Sequence, residues 1–165
     1  MPLLKLPSQG AEVDIPRESV ILDSCVLASA FFPGDQWHDH AEDFLAQERA
    51  YVVPYVVVAE AWGVLVRAKK ERHEYGLRML RWATRSPNVV LVPGWRELLQ
   101  TSRDFCDALK IDFVDAFLMG LASRISDVFR GGRRAIIATY DTRDFFISQK
   151  SFRFEYLDLR DGVGH

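Results

Sequence analysis

The sequence predicts an α/β fold, a three-layer α/β/α arrangement with a central parallel sheet flanked by helices. Two observations carry this. Short apolar runs rich in β-branched residues, at 20–22, 51–53, 89–92 and 135–138, alternate with longer stretches of helical hydrophobic period. Strands that alternate with helices pair in parallel through helical crossovers. Proline and glycine also punctuate the changes of element, at Pro33-Gly34, Pro93-Gly94 and Gly131-Gly132. Periodicity leaves the strand order open. At 165 residues, 48% hydrophobic and 27% charged, the chain suits one domain with one core. We expect that domain at 19–158, after a lead-in of 1–18 and before a tail of 159–165.

Residues 1–16 hold three prolines and a Ser-Gln-Gly turn. They read as irregular, with at most a short extended piece at 3–6. Val20-Ile21-Leu22 is the first strand. A helix from Ser24 to Phe32 is stopped by Pro33-Gly34. A second, from Trp37 to about Glu48, puts Ala41, Phe44 and Leu45 inward. After the strand at 51–53, Pro54 suits the first turn of a helix. That helix is expected to reach about Arg72, with Val57, Ala61, Val64, Leu65 and Ala68 at helical spacing. Further helices are expected at 74–84, 95–109 and 112–128, with a strand at 89–92. After the strand at 135–138 come a helical turn at 142–148 and an edge strand at 152–157. The tail is expected to fray.

The net charge of -2 and pI near 6.1 exclude a strongly basic surface. A bound nucleic acid would be held by local basic patches or by metal ions. Cys25 and Cys106 have neither CxxC nor Cys/His spacing, which argues against a disulfide framework and a zinc site and for a reducing cytoplasm. Residues 1–17 lack a long apolar core, so no signal peptide is expected. The most apolar stretch, 50–66, contains Pro54, Glu60 and Gly63 and is short for a bilayer span. We expect no membrane association.

The acids occupy telling positions. Asp23 ends the first strand and is followed by a hydroxyl at Ser24. In open α/β sheets, groups just past the carboxyl ends of strands line the ligand crevice. Glu60 is the one charged residue in 50–66 and falls on or beside an apolar stripe, where an unpaired carboxylate is costly. It is either a snorkelling residue at the helix edge or a carboxylate aimed into a shared site. Asp112 and Asp115 open a helix, as a cap and its third residue do. Capping accounts fully for Asp112. Asp115 shares a face with Leu118, Met119 and Ala122, which points it inward. Thr139-Tyr140-Asp141 repeats the pattern of a strand ending in a hydroxyl and a carboxylate. Asp141 or Asp144 could equally serve the start of the next helix.

Carboxylates converging without Lys or Arg would repel one another, and a divalent cation relieves the conflict. Hard oxygen donors suit Mg²⁺ or Mn²⁺. The matching chemistry is metal-assisted phosphodiester hydrolysis.

With these pieces in sequence, the chain resembles the PIN-domain ribonucleases, most closely the VapC-like toxins of type II toxin–antitoxin pairs. The resemblance rests on Val20-Ile21-Leu22-Asp23-Ser24, Val57-Val58-Ala59-Glu60, Phe113-Val114-Asp115-Ala116-Phe117-Leu118 and Thr139-Tyr140-Asp141-Thr142-Arg143-Asp144-Phe145. It implies Mg²⁺- or Mn²⁺-dependent cleavage of an RNA substrate, a homodimer and a cognate antitoxin. It also implies that Asp23, Glu60, Asp115 and Asp141 are catalytic acids and metal ligands. Ser24 and Thr139 match the supporting hydroxyl positions, and Asp144 competes with Asp141 for the last acid. The 1–18 segment departs from the toxin pattern, whose first strand begins almost at the N-terminus.

Basic residues offer RNA-backbone contacts. Arg78, Arg81 and Arg85 share one helical face after the run Arg67, Lys69, Lys70 and Arg72. Glu71 and Glu74 make a solvated face the simpler reading. Arg130, Arg133 and Arg134 flank Gly131-Gly132, and Arg143 follows Asp141. His38 and His40 read as a polar helix start over Trp37, and Cys25 as a small packing residue. Two competing functions remain. A haloacid-dehalogenase-like phosphatase would place a second Asp where Cys25 stands. A catalytically silent PIN-like module that binds RNA or protein would lose site acids, whereas all four are present.

Overall fold

A computed structural model describes residues 3–8, 11–16, 18–67, 73–128, 134–148 and 154–162. Its elements run β1 (Leu3–Ser8), β2 (Ala11–Pro16), β3 (Val20–Leu22), α1 (Ser24–Phe31), α2 (His38–Leu45), β4 (Tyr51–Pro54), α3 (Tyr55–Val66) and α4 (His73–Arg85). Then follow β5 (Val89–Val92), α5 (Arg96–Leu109), α6 (Phe113–Val128), β6 (Ala135–Thr139), α7 (Arg143–Ser148), β7 (Phe154–Asp158) and a 3₁₀ turn (Leu159–Gly162). The expected α/β/α arrangement is the observed one. Strands β5-β4-β3-β6-β7 form a five-stranded sheet in that order, every neighbouring pair parallel.

The central strands are short and buried on both faces, so they read as continuous apolar runs rather than alternating ones. Val20, Ile21 and Leu22 of β3 are all buried, as are Tyr51 to Val53 of β4. Helix α6 lays Phe117, Leu118, Leu121 and Ala122 into this core. The Tyr51 hydroxyl, buried with its ring, donates to the Phe44 carbonyl and so ties α2 to the sheet. Of the tryptophans, Trp95 is buried and the other three are half-buried against the core. Helix α4 crosses α3 at Gly76, where a Cβ would come within 2.7 Å of the Trp62 indole. Among the described residues, no helix is long and apolar enough to cross a membrane.

The structure corrects four local expectations. The lead-in is not irregular: β1 and β2 form an antiparallel hairpin with Leu3 opposite Pro16 and Ser8 opposite Ala11. Pro7 sits opposite Glu12 in a two-stranded ribbon, where both strands are edges and a missing N–H is tolerated. Ile15 is fully buried and fixes the hairpin to the body. Residues 159–162 likewise form a 3₁₀ turn rather than a frayed tail, because Leu159 is only 4% exposed, and 163–165 lie outside the described residues. In α3, Val57, Ala61 and Leu65 are buried, but Val64, at the edge of that stripe near the helix end, is 53% exposed. Pro54 ends β4 and precedes α3 in extended conformation rather than lying in its first turn. The expected continuation of that helix to Arg72, with Ala68, lies outside the described residues.

Candidate active site

The strand order creates the site. The chain leaves β3 for β4 on one side, while β6 lies on the other. A crevice therefore opens beyond the carboxyl ends of β3 and β6, the position where open α/β sheets bind ligands. Asp23 follows β3 directly, and Tyr140 and Asp141 follow β6. The Asp23 N–H still donates to Ala138 O at 3.1 Å, so the carboxylate projects from the last rung of the sheet. Its backbone is extended and it caps α1.

Asp23 is 4% exposed and held from three directions. Its Oδ1 accepts the Ser24 N–H at 2.6 Å. Its Oδ2 accepts the Thr139 hydroxyl at 2.7 Å and the Cys25 thiol at 3.2 Å. A carboxylate has about four acceptor sites, so one remains for a further partner. Burial pushes the Asp23 carboxyl above the ordinary range. Bonds from Thr139, Cys25 and Ser24 pull against that, and the charge of Asp141 adds to it. Thr139 Oγ1 also accepts the Asp141 N–H at 2.9 Å, which fixes the turn after β6.

Asp115 lies in the first turn of α6 and is half-buried. Burial, followed by the charges of Asp23, Asp144, Asp112 and Glu60, pushes its carboxyl up to about 8. These acids therefore share one electrostatic field, with Asp141 joined to it through Asp23. Asp112 performs the capping role, its Oδ1 accepting the Val114 N–H at 2.9 Å. Asp141 is exposed and its Oδ1 accepts the Arg143 N–H at 3.3 Å, which caps α7. Asp144 is half-buried, as is Glu60 on α3.

The donor set fits a hard divalent cation in charge and chemistry. Every acid is an oxygen donor, and among the described residues no Lys or Arg ion-pairs with Asp23, Glu60 or Asp115. The coordination is not closed as the side chains stand. Among the described residues, no three acidic, His or Cys groups are gathered around one ion position. The fit is thus one of repulsion relieved by a cation, not of a finished cage.

The arginines are less well gathered. Arg78, Arg81 and Arg85 are exposed on α4, which leads into the amino end of β5. Arg134 precedes β6 at the amino edge, opposite the acids, where it lines a cleft of about 1040 Å³ with Arg49, Asn88 and Glu155. That cleft contains none of the candidate acids. Arg143 is exposed on the first turn of α7 beside Asp141. Arg133, with Lys69, Lys70, Arg72 and Arg130, lies outside the described residues.

Sequence reasoning missed several supports. Cys25 is more than small packing: its thiol meets Asp23 and Thr139, and its sulfur accepts the Tyr140 N–H at 3.3 Å. Burial, then the Asp23 charge, pushes that thiol up to about 12, which agrees with its reading as unreactive. Its place two residues after Asp23 was the available signal. Tyr140, between Thr139 and Asp141, stacks on Trp37 with centroids 5.3 Å apart, and its hydroxyl lies 2.9 Å from His40 Nδ1. The polar helix start at Trp37, His38 and His40 is therefore tied to the site loop.

The family model of the PIN domain matches residues 20–149. No curated protein matches the sequence. Among solved structures, VapC20 of Mycobacterium tuberculosis, described as a sarcin-ricin loop cleaving toxin, is similar with a TM-score of 0.63 and 17% identity, covering 81% of this chain and 95% of its own. FitAcB of Neisseria gonorrhoeae gives 0.58 and 16%, covering 86% of this chain and 98% of that one. VapBC2 of Rickettsia felis, bound to a DNA fragment from their promoter, gives 0.56 and 13%, covering 84% and 98%. At such identities the likeness is one of fold.

Proposed function

Since this chain belongs to the PIN-domain family, we propose that it is a metal-dependent endoribonuclease that hydrolyses RNA phosphodiester bonds, the toxin of a toxin–antitoxin pair. The observation that carries this is the set of acids at the carboxyl edge, with Asp23 held by three donors and Asp115 pushed up by burial and then by its acidic neighbours. Asp23, Glu60 and Asp115 would hold Mg²⁺ or Mn²⁺, with Asp141 or Asp144 as the fourth acid. The bound ion would polarise a phosphoryl oxygen and lower the pKa of the attacking water. The chain's own part is orientation. Thr139, Ser24 and Cys25 fix the Asp23 carboxylate, and Asp112 caps the helix that presents Asp115. The toxin reading draws on the toxin and VapBC descriptions of the structural neighbours. On the same reading the protein is a cytoplasmic homodimer with a cognate antitoxin.

The test is cleavage of a structured RNA pool by wild type and Asp23→Asn, with Mg²⁺ or Mn²⁺ and with EDTA. We expect cleavage by wild type that stops in EDTA and in Asp23→Asn. Cleavage that survives both would remove Asp23 and the metal from the mechanism. No cleavage, together with RNA binding indifferent to metal, would leave a silent binding module.

A further inference from the structure

A polyanionic RNA strand must approach an edge crowded with carboxylates, so any fixed cation at that edge matters. One is present. Strand β7 pairs with β6 and ends at Asp158, level with Thr139. Arg160 follows in the 3₁₀ turn, which Leu159 anchors in the core. The Arg160 Nε donates to Asp158 Oδ1 at 2.9 Å, and Nη2 donates to Asp158 Oδ2 at 2.6 Å. Nη2 also donates to Thr142 Oγ1 at 2.8 Å, directly after Asp141. The guanidinium is thus pinned across the mouth of the turn that carries the last acid.

A guanidinium has five N–H donors. Asp158 and Thr142 take three of them. Among the described residues Nη1 makes no hydrogen bond, and the side chain is 45% exposed. Asp158 has already restricted the side-chain rotamers, so little further ordering is required when an anion binds. Arg143, on the neighbouring turn, lacks this: its guanidinium makes no hydrogen bond among the described residues.

We propose that Arg160 is a substrate-binding residue that takes a backbone phosphate of the RNA strand through Nη1, beside the acids. The proposal rests on the nuclease reading above. Its test is binding of a labelled single-stranded RNA pool to Asp23→Asn protein, with and without Arg160→Gln, between about 50 and about 200 mM salt. Each phosphate contact to a single strand contributes about −0.7 to the slope of log K against log salt. We expect Arg160→Gln to flatten the slope by about that amount, Arg160→Lys to retain it, and Thr142→Val, which loosens the latch but keeps the charge, to retain it too. An unchanged slope in Arg160→Gln, with a lowered Tm, would make Arg160 a structural latch and overturn the proposal. If wild type cleaves the pool while that slope is unmoved, only the role of Arg160 fails. If Asp23→Asn binds no RNA and wild type cleaves none, the nuclease reading fails with it.

Discussion

At the scale of single residues, Asp23 is costly where it stands. A carboxylate that is 4% exposed is stable only if its oxygens are bonded, and Thr139 supplies the shortest side-chain bond. Thr139→Val keeps the shape and removes the hydroxyl. A hydrogen bond to a charged group is worth about 1.5–3 kcal/mol, so kcat for RNA cleavage should fall about tenfold to a hundredfold, with Thr139→Ser recovering most of it. Steady-state kinetics would decide, and a Thr139→Val enzyme as fast as wild type would sink the idea. The positions of Asp23 and Thr139 were legible because a strand end fixes where its residues point, whereas Ser24 meets Asp23 through its backbone N–H and not through the hydroxyl that marked it in the sequence. Cys25 was not legible, because a thiol next to an acid looks the same in sequence whether it packs or donates. Asp141 and Asp144 stayed ambiguous for a related reason. Both sit near a helix start, and the structure shows Asp141 capping α7 while both contribute charge to the site.

At the scale of elements, helices and buried strands were readable from period and turn residues, and their bounds shifted by one to three residues at several ends. The β1–β2 hairpin was hidden by its prolines, and the last turn by its polar sequence. Tertiary anchors, Ile15 and Leu159, decided both. The last turn also makes a pH-dependent contribution. Hydrogen bonds from the Arg160 side chain and backbone hold the Asp158 carboxyl below the usual range, with the Arg160 charge adding to them. A group whose pKa is lower folded than unfolded stabilises the fold above the unfolded value, about 3.9 for Asp, and loses that contribution as pH falls through the folded value. Asp158→Asn should therefore melt below wild type at neutral pH, and the gap should narrow in acid. Thermal melts of both proteins across that range test this. A gap of constant size would mean that the carboxylate charge is irrelevant to the turn.

At the scale of the molecule, the fold sets two unlike edges against each other. The carboxyl edge gathers acids, and the amino edge opens a cleft with Arg49 and Arg134. The α/β class was legible because alternating strands and helices admit few topologies, but the order β5-β4-β3-β6-β7 was not, since period says nothing about which strands are neighbours. That order is what brings Asp23 and Asp141 together. Repulsion among the acids opposes folding, so this edge should trade stability for cation affinity. In EDTA, Asp115→Asn should melt above wild type, because it removes a half-buried carboxylate pressed by Asp23, Asp144, Asp112 and Glu60. With Mn²⁺ the order should reverse. A ligand at about 100 times its Kd adds about 2.7 kcal/mol, which for a chain of this size raises Tm by about 5–10 °C. Asp115→Asn should gain far less. If Mn²⁺ raised both melting temperatures equally, the cation would be acting elsewhere on the surface, and the acids would need another reason to share this edge with no basic partner for Asp23, Glu60 or Asp115 among the described residues.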